Sequence, residues 1–364
     1  MSSTSAGPRL IIAAGGTGGH IYPGLAVGKE FRARRPDADI LFVGTSRGLE
    51  DEIIGEAGFE VEILSAKPLR GGSLLRKIKG LWALAPAYRD ARRLLRRFRP
   101  DAVVGVGGYI SGPLLLAASR NGIPTLILEP NFDPGLTNLW LARFVDAAAV
   151  AWEETAAHFR GKAIVSGNPI RSEIAAVPDI VLAGHLRVLL FGGSQGSQIL
   201  NDAMVAALPH LLPHERFQIT HQTGPGQVGE VREAYGEHGV EARIEPYLAH
   251  MDQEYAACDI VVSRAGATTC AELAAAGRGA VLVPLELAGG HQRHNAEALK
   301  RSHAAVVINE AELTGPGLAG TLAELADDPR RVVEMGSRAR ENGKPDATER
   351  IVDRLEELLQ ARPS

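Results

Sequence analysis

The chain has 364 residues, 45% of them hydrophobic and 23% charged, which fits two globular domains better than one and excludes disordered or fibrous classes. Its net charge is −4, aromatics make up only 5%, and there are two cysteines, Cys258 and Cys270. These figures argue against stacking platforms for single-stranded nucleic acid, against a disulfide framework and against a CxxC zinc site.

The charge is unevenly spread. Residues 1–165 carry 21 Lys+Arg against 16 Asp+Glu, a net of +5, while residues 166–364 carry 18 against 27, a net of −9. A basic first half is suited to an anionic partner. The first apolar run, Leu10 to Ala14, ends at glycine and is too short for a signal peptide. No stretch of about twenty uncharged apolar residues occurs, so membrane contact is expected to be peripheral.

In chain order, RLIIAA (9–14) reads as a buried strand, followed by glycines and a helix over LAVGKEFRAR. DILFVG (39–44), DAVVGVGG (101–108) and PTLILE (124–129) are further strands, with LLLAASRNG a helix between the last two. DAAAVA (146–151) and KAIVSG (162–167) close the first half. The pattern restarts at LRVLLFGG (186–193) and continues through RFQITHQTG (216–224), ARIEPY (242–247), DIVVSRAG (259–266), GAVLVPL (279–285) and AAVVIN (304–309). Strands alternating with helices predict parallel sheets covered on both faces, here two Rossmann-like domains of class α/β. The join is expected near GNPIRSEIAAVPDI (167–180), where Gly and Pro cluster.

Three glycine turns follow strands: GGTGGH (15–20), GVGGYISGP (105–113) and GGSQGSQ (192–198). Such turns aim backbone N–H groups and a helix N-terminus at one spot, which suits phosphate. None is a P-loop and none is a clean GxGxxG; the second strand ends FVGTS, without the acid that grips an adenosine ribose. A nicotinamide dehydrogenase is therefore disfavoured. In SRAGATTCAELAAAG, the N–H groups around Ala267 and Thr268 can face a phosphate, and Glu272, early in the helix, can accept hydrogen bonds from ribose hydroxyls. In HQRHN (291–295), Gln292 and Asn295 can read sugar hydroxyls.

Together these segments resemble the MurG family, over about Arg9 to Leu359 and in this order: GGTGGHIYPGLAV, GVGGYISGP, GLTNLWLAR, GNPIR, GGSQGSQILN, SRAGATTCAELAAAG, HQRHNA and PDATERI. The resemblance implies a GT-B fold, two Rossmann-like domains with parallel sheets facing across a cleft. It divides the chain into residues 1–168, facing acceptor and membrane, and 169–346, holding the donor, with helix 347–364 packing back on the first. It also implies an inverting transfer of N-acetylglucosamine from UDP-N-acetylglucosamine to the 4-hydroxyl of a lipid-linked muramyl-pentapeptide, lipid I, in peptidoglycan synthesis. The donor contacts it implies are Thr17, Gly18 and Gly19 in the first loop, Asn131 near the sugar, Arg171 near the hinge, Ser194 at the phosphates and the Leu248 backbone at uracil. Ala267, Thr268, Thr269 and Glu272 would bind phosphate and ribose, and Gln292 the sugar. The expected place of work is the cytoplasmic face of the cell membrane, beside other cell-wall synthesis proteins and without nucleic acid. The family's usual His-Glu-Gln-Asn reads Leu128-Glu129-Pro130-Asn131 here, and Pro130 removes one N–H and fixes φ. Residues 289 and 290 are both glycine where polar residues are usual.

For the chemistry, His20 is the candidate base because a neutral imidazole dominates near pH 7, with Glu129 the alternative. No cofactor or metal is expected: the single DxD string, Asp37-Ala38-Asp39, precedes a strand, at the end of an α/β sheet away from ligands. Residues 67–100 hold eleven Lys+Arg and one acid, Asp90. Their interleaved basic and apolar residues, among them Leu74, Leu75, Trp82, Arg92, Arg93, Arg96 and Arg97, suit an anionic lipid surface. Two rival functions are a transferase acting on diacylglycerol and a non-catalytic UDP-sugar-binding subunit.

Overall fold

The computed structural model describes residues 7–15, 18–44, 50–64, 74–286 and 290–361. Within these, side chains are not described at 18, 50–52, 74–84 and 109. Thr17 and Gly289 therefore lie outside the described residues, as do the side chains of Leu74, Leu75 and Trp82.

The chain forms two compact units, residues 1–171 with 346–364, and residues 172–345. In the first, the order is β1 (Arg9–Ala14), α1 (Gly18–Arg34), β2 (Asp39–Gly44), α2 (Glu50–Glu56), β3 (Glu60–Ile63), α3 (Leu74–Phe98), β4 (Ala102–Gly107) and α4 (Gly108–Arg120). Then come β5 (Thr125–Glu129), α5 (Leu136–Leu141), β6 (Ala147–Val150), α6 (Glu153–Ala156) and β7 (Ala163–Val165). The second unit runs α7 (Ser172–Ala175), β8 (Leu186–Phe191), α8 (Gln198–Ala207), β9 (Phe217–Gln222), α9 (Val228–Glu237), β10 (Ala242–Glu245), α10 (Met251–Ala257) and β11 (Ile260–Ser263). It ends with α11 (Ala267–Ala276), β12 (Gly279–Leu282), α12 (His291–Arg301), β13 (Ala305–Val307), α13 (Gly315–Asp327) and α14 (Pro329–Glu341); α15 (Ala347–Gln360) follows.

Among the described residues the first sheet has seven strands in the order β3-β2-β1-β4-β5-β6-β7, and the second six in the order β10-β9-β8-β11-β12-β13. All pairings are parallel. Strand order thus reverses twice, between β1 and β4 and again between β8 and β11, the places where open α/β sheets bind ligands.

The apolar runs of the central strands are long because those strands are covered on both faces. In β1, Ile11 and Ala13 point into a core with α3 and α4 residues such as Leu94, Leu95, Leu114 and Leu115. Leu10, Ile12 and Ala14 point the other way, against Leu25 and Phe31 of α1. Ile351, Val352 and Leu355 of α15 join that second core, so the last helix is part of the first unit. Its outer side ties to α1 through Arg34 to Asp353 and Arg35 to Glu356. These pairs are half-exposed, so burial of the apolar stripe carries most of the attachment.

The exposed edge strand β3, EVEI, has no apolar run and went unread in the sequence. Leu355→Ala, which empties a fully buried position, is expected to cost about 2–4 kcal/mol, visible as a lower urea midpoint.

Candidate functional site

The glycine turns sit at the two reversals. In the first unit they follow β1 and β4, and the ring of His20, in the first turn of α1, lies against Gly107. A Cβ on Gly107 would stand 2.8 Å from both Nε2 and Cδ2 of that ring, and Gly107 has φ of 122°. Only glycine satisfies both conditions. The Nδ1 of His20 is buried and makes no hydrogen bond of normal geometry among the described residues. Burial holds the His20 pKa below its ordinary 6.5, partly offset by the Gly15 carbonyl facing the ring. The imidazole is therefore neutral at pH 7.

Glu129 ends β5 and is buried, and both carboxylate oxygens are occupied. Oε1 accepts from the Asn131 backbone N–H (3.0 Å) and side chain (3.1 Å); Oε2 accepts from Gly135 N–H (2.8 Å) and Asn138 Nδ2 (2.9 Å). A carboxylate accepting from four donors organises the 130–138 loop. It fixes Asn131 in place. Arg171 stacks its guanidinium over Tyr22 of α1, 4.8 Å from the ring centroid. Gly19, the second residue of α1, is exposed, one residue before His20.

In the second unit the loops converge at the C-terminal ends of the strands. The turn Gly193–Gly196 closes with a 2.9 Å hydrogen bond and carries Ser194, half-buried. It packs on Thr223–Gly224: a Cβ on Gly196 would stand 2.0 Å from the Thr223 carbonyl oxygen. Arg264, between β11 and α11, donates to Ser197 Oγ (3.1 Å) and pairs with Glu310, joining the turns that follow β8 and β11. At α11 the cap residue is Gly266, and no side chain caps the helix. The first intrahelical bond is Cys270 N–H to Gly266 C=O, so Ala267, Thr268 and Thr269 lie in the first turn, at the positive end of the helix dipole. One turn in, Glu272 is buried and its Oε2 accepts from Tyr255 O–H (3.1 Å).

Gln292 accepts from Leu285 N–H through Oε1 (3.0 Å), which leaves its amide N–H groups to donate. Asn295 is fully buried and donates to the Ala265 carbonyl, holding α12 against the turn before α11. Leu248 is buried in the loop after β10, and that loop is fixed by Gln222 Nε2 donating to Pro246 C=O (3.1 Å). The second unit thus gathers Ser194, Leu248, Ala267 to Thr269, Glu272 and Gln292 along one sheet edge, while the first gathers His20 and Asn131.

Asp39 lies at the opposite, N-terminal end of its strand and pairs with Arg9. Asn201, His221 and Tyr235 form a buried polar group; Asn201 closes the GGSQGSQILN segment, while His221 shows in sequence only as a polar residue within strand β9.

Residues 10–150 match the glycosyltransferase family 28 N-terminal domain and residues 187–351 its C-terminal domain. A protein of Geotalea daltonii is 43% identical over 357 residues, covering 95% of this chain and 97% of its own length. One of Pelobacter propionicus is 43% identical over 373 residues, covering 95% and 98%. Both are UDP-N-acetylglucosamine–N-acetylmuramyl-(pentapeptide) pyrophosphoryl-undecaprenol N-acetylglucosamine transferases. The crystal structure of Acinetobacter baumannii MurG superposes with a TM-score of 0.78 at 30% identity, over 96% of this chain and 99% of that one.

Burial lowers both histidine pKa values, His221 to about 4, so the unfolded chain binds more protons than the folded one in the window below 6.5. Their contribution to stability is complete above 6.5 and is lost as pH falls, for His221 down to about 4. NMR titration is expected to give midpoints below 6.5 for His20 and near 4 for His221. Gly107→Ala, which displaces the His20 ring, should shift the His20 midpoint alone.

Proposed function

This chain belongs to the MurG family of glycosyltransferases, and we infer that it transfers N-acetylglucosamine from UDP-N-acetylglucosamine to N-acetylmuramyl-(pentapeptide) pyrophosphoryl-undecaprenol, the step from lipid I to lipid II in peptidoglycan synthesis. Its fold is the GT-B fold of two parallel-sheet α/β domains. The observation that carries the residue-level reading is the neutral imidazole of His20, held on glycine at one strand-order reversal, matched by an uncapped helix N-terminus at the other.

The reaction is a single in-line displacement. The acceptor's 4-hydroxyl attacks C1 of the sugar, the C1–oxygen bond to the diphosphate breaks, and configuration inverts. The hydroxyl proton goes to His20. The neutral ring carries its proton on one nitrogen and leaves the lone pair of the other to receive it. The departing UDP carries the developing negative charge. The α11 N-terminus and the Ser194 turn are its stabilisers, acting as preorganised backbone donors. Glu272 takes the ribose hydroxyls, the Leu248 backbone the uracil, and Gln292 the sugar through its amide N–H groups. Asn131, oriented by Glu129, Arg171 and the first-loop residues Thr17, Gly18 and Gly19 complete the proposed set of donor contacts.

The acceptor is lipid-linked, so the enzyme must work at a membrane surface. Among the described residues no helix is long and apolar enough to cross a membrane. The C-terminal part of α3 supports peripheral docking: Arg92, Arg93, Arg96 and Arg97 are exposed while Ala91, Leu94, Leu95 and Phe98 are buried. An exposed basic face of this kind contributes about 1 kcal/mol per residue near anionic lipid. On this reading the chain acts on the cytoplasmic side, where other cell-wall synthesis proteins would meet it.

The deciding experiment is transfer of labelled sugar from UDP-N-acetylglucosamine to a short-chain lipid I analogue, with UDP-glucose and diacylglycerol as controls. Transfer to the lipid I analogue alone is expected; activity only on diacylglycerol would move the chain to a different lipid pathway. His20→Ala is expected to lower kcat by about 10²-fold or more, the usual range for a general base, and a loss below about tenfold would remove it from that role. Neutralising Arg92, Arg93, Arg96 and Arg97 to Gln should weaken binding to phosphatidylglycerol vesicles, and added salt should do the same to the unmodified chain. Vesicle binding that survives both changes would count against this docking face.

A further inference from the structure

The polar group beneath the second unit's glycine turn has a definite direction. Asn201, in the first turn of α8, is fully buried. Its Nδ2 sits 2.9 Å from the Thr223 carbonyl oxygen, a pure acceptor, so the amide N–H groups must face that way. The same Nδ2 donates to Gln227 Oε1 at 2.7 Å. The Asn201 Oδ1 therefore faces Nε2 of His221, 3.0 Å away, and Nε2 must carry the proton. A neutral ring protonated at Nε2 has only a lone pair at Nδ1, and Tyr235 O–H, 3.2 Å away, donates to it. Tyr235 to His221 to Asn201 to Thr223 is thus one chain of donors, all pointing at a single backbone carbonyl.

That carbonyl is the one against which Gly196 packs. Gly224 packs in return on the Gln195 carbonyl, where a Cβ would stand 2.2 Å away. Thr223 N–H also donates to Glu245 C=O (3.0 Å), where the loop toward Leu248 begins. Turning the Thr223–Gly224 peptide would lift the Gly193–Gly196 turn that packs on it.

We propose that His221, in its Nε2-protonated neutral form, is a positioning residue for the donor: through Asn201 and Thr223 it fixes the height of the Ser194 turn under the diphosphate. This rests on the reading that the Ser194 turn meets the donor diphosphate. His221 touches neither substrate nor reacting atoms. Its loss should weaken donor binding while sparing the chemical step.

The test uses the full-length chain, with UDP affinity by calorimetry, donor KM and kcat, and thermal melts. His221→Leu keeps the volume but removes both ring nitrogens. It is expected to raise donor KM and UDP Kd about tenfold, as loss of a buried hydrogen-bond relay would, with kcat changed less than about threefold. His221→Gln, which can still donate to Asn201 Oδ1, should recover most of that affinity. A lowered melting temperature in His221→Leu with UDP affinity unchanged would make the network a fold element only and overturn the proposal. Should His221→Leu not fold, Tyr235→Phe removes one O–H from the same chain; weaker UDP binding supports the proposal and unchanged binding overturns it. Gly196→Ala separates the two levels. If it leaves UDP affinity unchanged, the turn does not meet the diphosphate and the underlying reading fails. If it weakens UDP while His221→Leu does not, the turn is correctly placed and His221 has no part in positioning it.

Discussion

Close approach of backbone to its neighbours, where strand order reverses, is the constraint on which the rest of the molecule depends. At a reversal two adjacent strands send their connections to opposite faces, and a crevice opens between them. To be useful the crevice must be lined by backbone donors and not filled by side chains. In the first unit that requirement appears as a histidine ring lying on Gly107; in the second, as two turns stacked through Gly196 and Gly224. Replacing any of these glycines would push the walls of its crevice apart.

Electrostatics follows from this packing. Burial against glycine keeps His20 neutral, and a neutral imidazole can accept a proton. The α11 helix shows the complementary arrangement. Its N-terminus is left without a side-chain cap, whereas its C-terminal carbonyls are heavily satisfied. Arg278, almost wholly buried, donates to the carbonyls of Ala276 and Gly277, and Arg340 to those of Ala275 and Ala276. The same guanidinium groups reach the carbonyls of Pro178 and Val177. Two cations at the C-terminal end stabilise the helix and anchor it to the start of the unit. The helix is therefore held from behind, and its N-terminal end has a fixed position.

Much of this was legible in the sequence, for a physical reason. Strands covered on both faces need uninterrupted apolar runs, so RLIIAA, DILFVG and LRVLLFGG read directly as β1, β2 and β8. Glycines needed for close approach stand out in the same way. The edge strand β3 was not legible, because a half-exposed EVEI satisfies its backbone on one side only and carries no apolar signature. Nor were the contacts that set roles. Glu129 reads as a free acid until Asn138 and Gly135, nine and six residues on, are seen to occupy one of its oxygens. His221 and Asn201 are twenty residues apart and meet only because α8 lies on β9's end. Pairings of this kind are set by tertiary packing, which leaves no periodic trace.

The substitution of proline at 130 becomes intelligible in the same terms. In the Glu129 loop the carboxylate draws its backbone donors from residues 131 and 135 and skips 130. An N–H at 130 has no place in that arrangement, so its loss costs nothing there. Proline also fixes φ and reduces the freedom the loop would lose on folding. The loop carbonyls of Asn131 and Phe132 are in turn held by Thr155 Oγ1. A carboxylate below, a hydroxyl beside and a proline within the chain leave Asn131 one orientation. The departure from the family pattern therefore falls at a position the surrounding hydrogen bonds had already made indifferent to an amide proton, while the two residues that the bonds do require, Glu129 and Asn131, are kept.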